Sequence, residues 1–407
     1  MKKEWLVIRE KETTVKVKTA KIEAVRSKDI VKKGYRVYKD GKIGISGAIG
    51  DVPMAQLEKD ATENLMTDIA YPYALTGDKK DHRSYNASPM DAKTLLEETE
   101  AILAFFRENY PEFDYSEHLS VIEHSALMQN TDGLDLKYED AYFELALILK
   151  EIGGPNVFDG FLSYFGRTFD RAKFIEQSKA FMKGYLGKAD LPEGEKLPVF
   201  FIGEDSFNGI FSRSLNGEIY ATGSSLFKGK LGETIFNEKL NLSIWKNPVQ
   251  NFAPFFDREG MTYENDKLPL IQNGKFVSVF ADKRTADLYS LPYTGGATGD
   301  YDGLPVLTAP TLGFDVDTED IAKVLEGQKS ILVVISSGGD FTTDGDYATP
   351  VQVSFLLEGT EIIGKLPEFN MRSSLYDMFG KDYIGTFESP YYIGEGAQLH
   401  GMWMRIN

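Results

Sequence analysis

The stretch Gly34-Tyr35-Arg36-Val37-Tyr38-Lys39-Asp40-Gly41-Lys42-Ile43-Gly44-Ile45 decides the reading of the N-terminal half. Asp-Gly accepts the positive φ values of a tight hairpin turn, and the β-branched and aromatic residues on either side suit a pleated surface. Upstream, residues 13–25 are rich in Val, Thr and Ile and also read as strand. Downstream, Pro53 suits the first turn of a helix with Leu57, Ala61, Leu65 and Met66 in its interior. Residues 92–110 repeat that spacing with Leu95, Leu96, Ile102, Leu103 and Phe106. Residues 119–124 and 138–152 read as strands on either side of the turn Thr131-Asp132-Gly133, and residues 171–186 as a helix capped by Asp170. No regular βαβ alternation runs through these elements. The expectation is an α+β domain, a mainly antiparallel sheet with long helices.

The polar segment Gly187-Lys188-Ala189-Asp190-Leu191-Pro192-Glu193-Gly194-Glu195 is punctuated by Gly and Pro and reads as a domain boundary, dividing the chain into 1–190 and 197–407. After it come a strand at 197–202 and a weak helix at 206–215. Further strands are expected at 276–281, 330–336, 351–358, 360–363 and 399–406, with short helices at 283–289, 318–325 and 373–379. Many strands with few crossover helices predict a barrel-like or curled-sheet second domain.

With 45 Lys and Arg against 62 Asp and Glu, the formal charge is -17, a field that repels nucleic acid and anionic lipid. The basic clusters Arg26-Ser27-Lys28, Lys32-Lys33 and Lys79-Lys80 are short and read as solvated faces. Neither direct nucleic-acid binding nor membrane insertion is expected, and there is no run of apolar residues long enough to cross a bilayer. The chain has no cysteine, which excludes disulfides, thiolate ligands and a cysteine nucleophile. The start Met1-Lys2-Lys3-Glu4-Trp5 lacks the apolar run of a secretory signal, so a cytoplasmic location is expected.

Four histidines limit metal chemistry: His82, His118, His124 and His400. His118 and His124 share a strand face if residues 118–124 are extended, and zinc needs further carboxylates beside them. Ordinary surface or hydrogen-bonded histidines are the alternative, and no metal or other cofactor is expected. Ser206, Ser212, Ser214, Ser224 and Ser225 lie outside any nucleophile-elbow pattern. Gly295-Gly296-Ala297-Thr298-Gly299 and Ser336-Ser337-Gly338-Gly339-Asp340 can each form a nest of backbone amides for an anion, or a wall against an extended peptide.

Several segments, in order, resemble the TldD/PmbA (TldE) family. They are Gly223-Ser224-Ser225-Leu226-Phe227-Lys228-Gly229-Lys230-Leu231-Gly232-Glu233, the turn Phe256-Asp257-Arg258-Glu259-Gly260-Met261, the hairpin Pro269-Leu270-Ile271-Gln272-Asn273-Gly274-Lys275-Phe276, and Asp282-Lys283-Arg284-Thr285-Ala286. Looser matches are Gly41-Lys42-Ile43-Gly44, Asn130-Thr131-Asp132-Gly133-Leu134, Thr308-Ala309-Pro310-Thr311 and Gly338-Gly339-Asp340. Active members are metallopeptidases with His-Glu-x-x-x-His on a helix before the Gly-Ser-Ser segment and a cysteine ligand near the C-terminal end. The matching positions here are Asn208, Gly209 and Arg213, and the region of Phe387. Both imidazoles, the general base and the thiolate are missing, so the chain resembles the metal-free branch.

That resemblance implies a non-catalytic subunit beside a TldD-like metallopeptidase subunit, acting on a peptide or unfolded segment, with a homodimer conceivable in isolation. Arg213, Gly295, Gly296, Gly299, Gly338, Gly339 and Asp340 are then candidate substrate-channel residues. Two alternatives stay open. One is a self-associating regulatory protein acting by protein contact, in keeping with the family's description as a modulator of DNA gyrase, with Phe252, Phe255, Phe256 and Tyr263 either an apolar surface or core. The other is a hydrolase with a rearranged site around His118, His124 or His400.

Overall fold

The fold is known from a computed structural model, which describes residues 1–86, 89–203 and 205–406. Two long hairpins build the N-terminal sheet. The first joins β1 (Lys2–Lys18) to β2 (Lys21–Lys39), followed by β3 (Lys42–Ile49) and β4 (Ile69–Ala70). Then come β5 (Lys79–Ser84), the second hairpin of β6 (Phe113–Asn130) and β7 (Leu134–Glu151), and β8 (Gly160–Gly166). The sheet order is β4-β3-β2-β1-β6-β7-β5, with β8 also on β7.

The Asp40-Gly41 turn has the expected conformation, with φ of 51° and 72°. Residues 13–25, read as strand, turn from β1 into β2 at Thr19-Ala20, both at positive φ. Neither residue favours that region. Tertiary contacts hold the turn: the Ala20 amide donates to the Tyr115 carbonyl (2.9 Å) and Arg107 Nη1 donates to the Ala20 carbonyl (2.8 Å).

Helices α1 (Met54–Glu63), α2 (Ala92–Asn109) and α3 (Arg171–Leu186) lie where their periodicity and caps place them. Asp91 and Asp170 accept the Thr94 and Lys173 amides. Met66 departs from the expected helix interior: the helix tightens into a 3₁₀ turn at Asn64–Thr67 and leaves it 85% exposed.

The C-terminal half is a closed barrel. Its wall contains β9 (Lys196–Ile202), and further strands follow as β10 (Leu242–Trp245), β11 (Lys267–Gln272), β12 (Lys275–Phe276), β13 (Ala297–Thr298), β14 (Val306–Leu307), β15 (Leu312–Phe314), β16 (Lys329–Ser336), β17 (Asp340–Phe341), β18 (Asp346–Glu358), β19 (Glu361–Lys365), β20 (Phe369–Ser374), β21 (Tyr383–Glu388) and β22 (Gln398–Ile406). The ring β16-β9-β22-β20-β18 closes because β18 returns to pair with β16. Only the β9–β16 pairing in that ring is parallel. A smaller sheet, β12-β11-β10-β15, and the pair β13-β14 lie outside the ring. Beyond Phe276 the expected strand at 276–281 loses its ladder, although the Val277 amide still donates to Leu270 (2.9 Å).

Alternation along each wall strand sorts residues between two cores. Val199, Phe201, Ile331, Val333, Met402 and Met404 face the barrel core, which α4 (Asp205–Leu215) completes with Phe207, Phe211 and Leu215. Phe200, Leu332, Phe355, Phe387 and Leu399 face outward into a second core shared with α2, α3 and the sheet residues Val15, Leu119, Leu145 and Leu147. Gly184 on α3 permits this contact, since a Cβ there would lie 2.7 Å from Ile362 and 2.8 Å from Phe355. The N-terminal sheet thus packs directly on the barrel wall.

Candidate functional site

A second junction between the two halves is polar, and it contains the turn Asp257-Arg258-Glu259-Gly260. Phe255 and Phe256, just before it, are buried against Leu6, Met128 and Tyr138 of the N-terminal sheet. They and Phe252 are core residues, and the guanidinium groups of Arg83 and Arg167 cover the Phe255 and Phe252 rings at 3.9 and 4.3 Å.

Asp257 is 3% exposed. Its Oδ1 accepts the amides of Glu259 and Met261, both at 2.9 Å, and its Oδ2 those of Gly296 and Ala297 at 3.0 and 3.1 Å. The glycine-rich loop at 295–299 does form an anion nest, and the anion it holds is the protein's own carboxylate. Gly295, Gly296 and Gly299 all adopt positive φ there. Burial pushes the Asp257 carboxyl up, while Lys246 and the amides pull it down.

Glu259 is equally buried. Its carboxylate accepts the Tyr71 hydroxyl (2.7 Å) and the Lys283 amide (3.1 Å), and its carbonyl accepts the Thr76 hydroxyl (2.7 Å). Burial, and then the charge of Asp257, raise its pKa to about 7. The buried hydroxyls of Tyr263 and Tyr293 lie by the same carboxylates. Opposite, the buried pair Arg36–Glu4 (3.1 Å) links the sheet to the loops, because Arg36 also donates to the carbonyls of Arg258 (2.9 Å) and Gly303 (3.1 Å).

Gly34 and Gly47, paired across β2 and β3, make room for this arrangement. A Cβ on Gly34 would lie 1.7 Å from the Tyr301 carbonyl oxygen, and one on Gly47 2.3 Å from the Asp302 Cβ. Two glycines facing one another inside strands are the signal that reveals a close backbone approach. The sequence reading passed over them.

The other candidate residues are spread over the barrel. Asn208, Gly209 and Arg213 lie on the exposed side of α4, and Arg213 has no side-chain partner among the described residues. The end of α4 connects to the glycine-rich loop through backbone bonds, from the Phe280 amide to Leu215 (3.1 Å) and from the Gly295 amide to Ala281 (2.9 Å). Gly338 and Gly339 lie between β16 and β17, which Asp340 begins and in which Phe341 meets Phe207 of α4 at 6.3 Å. Their loop folds onto β18, since the Ser337 amide donates to Gln352 Oε1 (3.0 Å) and a Cβ on Gly339 would meet Ala348 and Thr349 at 2.3 Å. Phe387 stands on the opposite face of the barrel wall, against Phe200. Its neighbour Thr386 is the one that faces the core beside α4, bonded to His400 Nδ1 (2.9 Å).

The histidines do not converge. His400 is sealed among Phe207 and Phe314, where burial lowers its pKa to about 4 and keeps it neutral. His82 pairs with Asp135 (2.9 Å). His118 lies by Glu117 (3.3 Å), and His124 packs edge-on against Tyr138. Among the described residues no group of three or more His, Asp or Glu can hold a metal ion.

The family described as PmbA/TldA metallopeptidase C-terminal domain matches residues 201–392. An uncharacterized protein of Methanocaldococcus jannaschii is 25% identical over 338 residues, 81% of this chain and 78% of that one. TldE from Thermococcus kodakarensis shares the fold with a TM-score of 0.77 at 17% identity, over 100% of this chain and 96% of that one. A candidate modulator of a DNA gyrase from Thermotoga maritima does so with a TM-score of 0.78 at 14% identity, again over 100% and 96%.

Two outcomes follow from the buried turn. Asp257→Asn replaces one acceptor oxygen with a donor facing two amides, and is expected to cost on the order of 3 kcal/mol in urea unfolding. For Glu259, the folded pKa of about 7 lies above the usual carboxylate range, so its proton favours the folded state. That contribution is complete at acidic pH below the unfolded pKa and is lost as pH rises through about 7. Urea midpoints measured between these limits are therefore expected to fall for the wild type relative to Glu259→Gln, and a constant difference would refute the assignment.

Proposed function

We propose that this chain, whose residues 201–392 match the PmbA/TldA metallopeptidase C-terminal domain, is the non-catalytic subunit of a peptide-processing complex, working beside a TldD-like metallopeptidase subunit. The observation that carries this reading is the chemistry of α4. Where the family resemblance places two imidazoles and a general base, the helix offers the amide of Asn208, the bare backbone of Gly209 and the guanidinium of Arg213. None of these suits a divalent cation, and a fixed positive charge at the third position opposes one. No cysteine exists to supply the remaining ligand. The residues present do not fit the family's metal, and no hydrolytic step is assigned to them.

In this reading the partner supplies metal and activated water. This chain contributes an interface, with Arg213 facing a peptide carboxylate and the 337–340 loop, next to the start of α4, forming part of the channel wall. The division near residues 190–197 separates a sheet domain from the barrel that carries α4. A cytoplasmic location accords with the cysteine-free sequence, and no helix is long and apolar enough to cross a membrane among the described residues.

The test is reconstitution. Tagged chain recovered from its native cells is expected to bring down a stoichiometric TldD-like subunit carrying His-Glu-x-x-x-His, identified by mass spectrometry. The pair is expected to cleave an unfolded polypeptide that this chain alone leaves intact. Cleavage by the homogeneous chain with zinc added would overturn the proposal, as would its repeated recovery without such a partner.

A further inference from the structure

β2 is paired on both sides only over part of its length. β3 covers it from Lys32 to Lys39, and the Gly50 amide takes up the Val31 carbonyl at 2.8 Å. From Glu23 to Asp29 the outer side of β2 pairs with no strand among the described residues, and every residue in that run except Ala24 is exposed. Because the Val31 carbonyl points toward the β3 side, strand alternation turns the backbone groups of Val25, Ser27 and Asp29 the same way, into the open edge. Such an edge is a template for another extended chain.

The hairpin that carries this edge has a charge opposite to that of the molecule, while residues 23–29 themselves balance, with Arg26 and Lys28 against Glu23 and Asp29. Residues 9–33 hold nine Lys or Arg against four Asp or Glu, a net +5 in a chain of -17. Part of that charge is neutralised in place: Lys28 reaches Glu10 and Glu12 at 2.7 and 2.6 Å, and Arg9 pairs with Asp29. Lys16 and Arg26 have no side-chain partner among the described residues, and they line one groove beside the edge together with Lys28 and His118, whose neighbours there are the carboxylates of Glu12 and Glu117.

We propose that residues 23–29 of β2 are a docking edge for an extended acidic polypeptide segment, which adds as a further strand and sets its carboxylates against Lys16 and Arg26. An open ladder selects a polypeptide over a nucleic acid, because only a peptide backbone offers alternating N–H and C=O groups at strand spacing. A second copy of β2 is disfavoured. Antiparallel pairing of the edge with itself about Ser27 would set Arg26 opposite Lys28 on one face. The proposal is independent of the catalytic partner, so loss of one leaves the other standing.

Fluorescence anisotropy of the full chain with a labelled peptide alternating Glu and Val tests it, with the same peptide carrying Lys for Glu and a DNA duplex as further probes. The Glu peptide is expected to bind at least about tenfold more tightly than the Lys peptide and to weaken as salt rises. Ser27→Pro removes an amide that faces the open edge and not the β1 ladder, so binding should fall about tenfold while the unfolding midpoint holds. Arg26→Glu should weaken binding similarly without touching the backbone. Equal binding of the two peptides would overturn the proposal. So would DNA binding that exceeds peptide binding, indifference of the Glu peptide to both substitutions, or a homodimer that Ser27→Pro dissolves in a chain that binds neither peptide.

Discussion

The carboxylate of Asp257 organises the contact between the two halves of this protein. An ionised group so deeply buried is expensive unless its lone pairs are filled. Here four backbone amides fill them, two from its own turn and two from the loop at 296–297. Closing that shell fixes the turn, which presents Glu259 to Tyr71 and places the Arg258 carbonyl under Arg36. The polar junction and the apolar wall shared by α3 and the barrel hold the halves together by different means. The first is directional and sensitive to proton uptake, and the second is neither.

Local chemistry made much of the fold readable. The cap at Asp170, the Asp40-Gly41 turn and the apolar spacing of α2 are each contained within a few residues. What local chemistry could not show was anything decided by distant partners. The Thr19-Ala20 turn lacks turn residues because Tyr115 and Arg107 hold it. Barrel closure depends on β18 meeting β16, and on a parallel pair whose strands are more than a hundred residues apart.

The candidate site followed the same division. Residue types alone showed that α4 carries neither histidine nor cysteine, since residues 205–215 contain none. The glycine-rich loop was readable as an amide nest, but its occupant was not, because Asp257 lies some forty residues away in sequence. The region matched to the family's cysteine is centred on Phe387, a strand residue on the outer face of the barrel one position from Thr386, and alternation makes that single step a change of core. The exposed side of α4 and the open edge of β2 belong to different halves. The Asp257 junction is what fixes their relative position.

Amide hydrogen exchange measures that junction most directly. If the Asp257 shell joins the halves into one cooperative unit, the amides of Glu259, Met261, Gly296 and Ala297 should exchange no faster than those of Phe200 and Leu332 in the barrel wall, and Asp257→Asn should accelerate all of them together. Rapid exchange at the four shell amides while the barrel wall stays protected would contradict the account, because the halves would then part without the barrel unfolding.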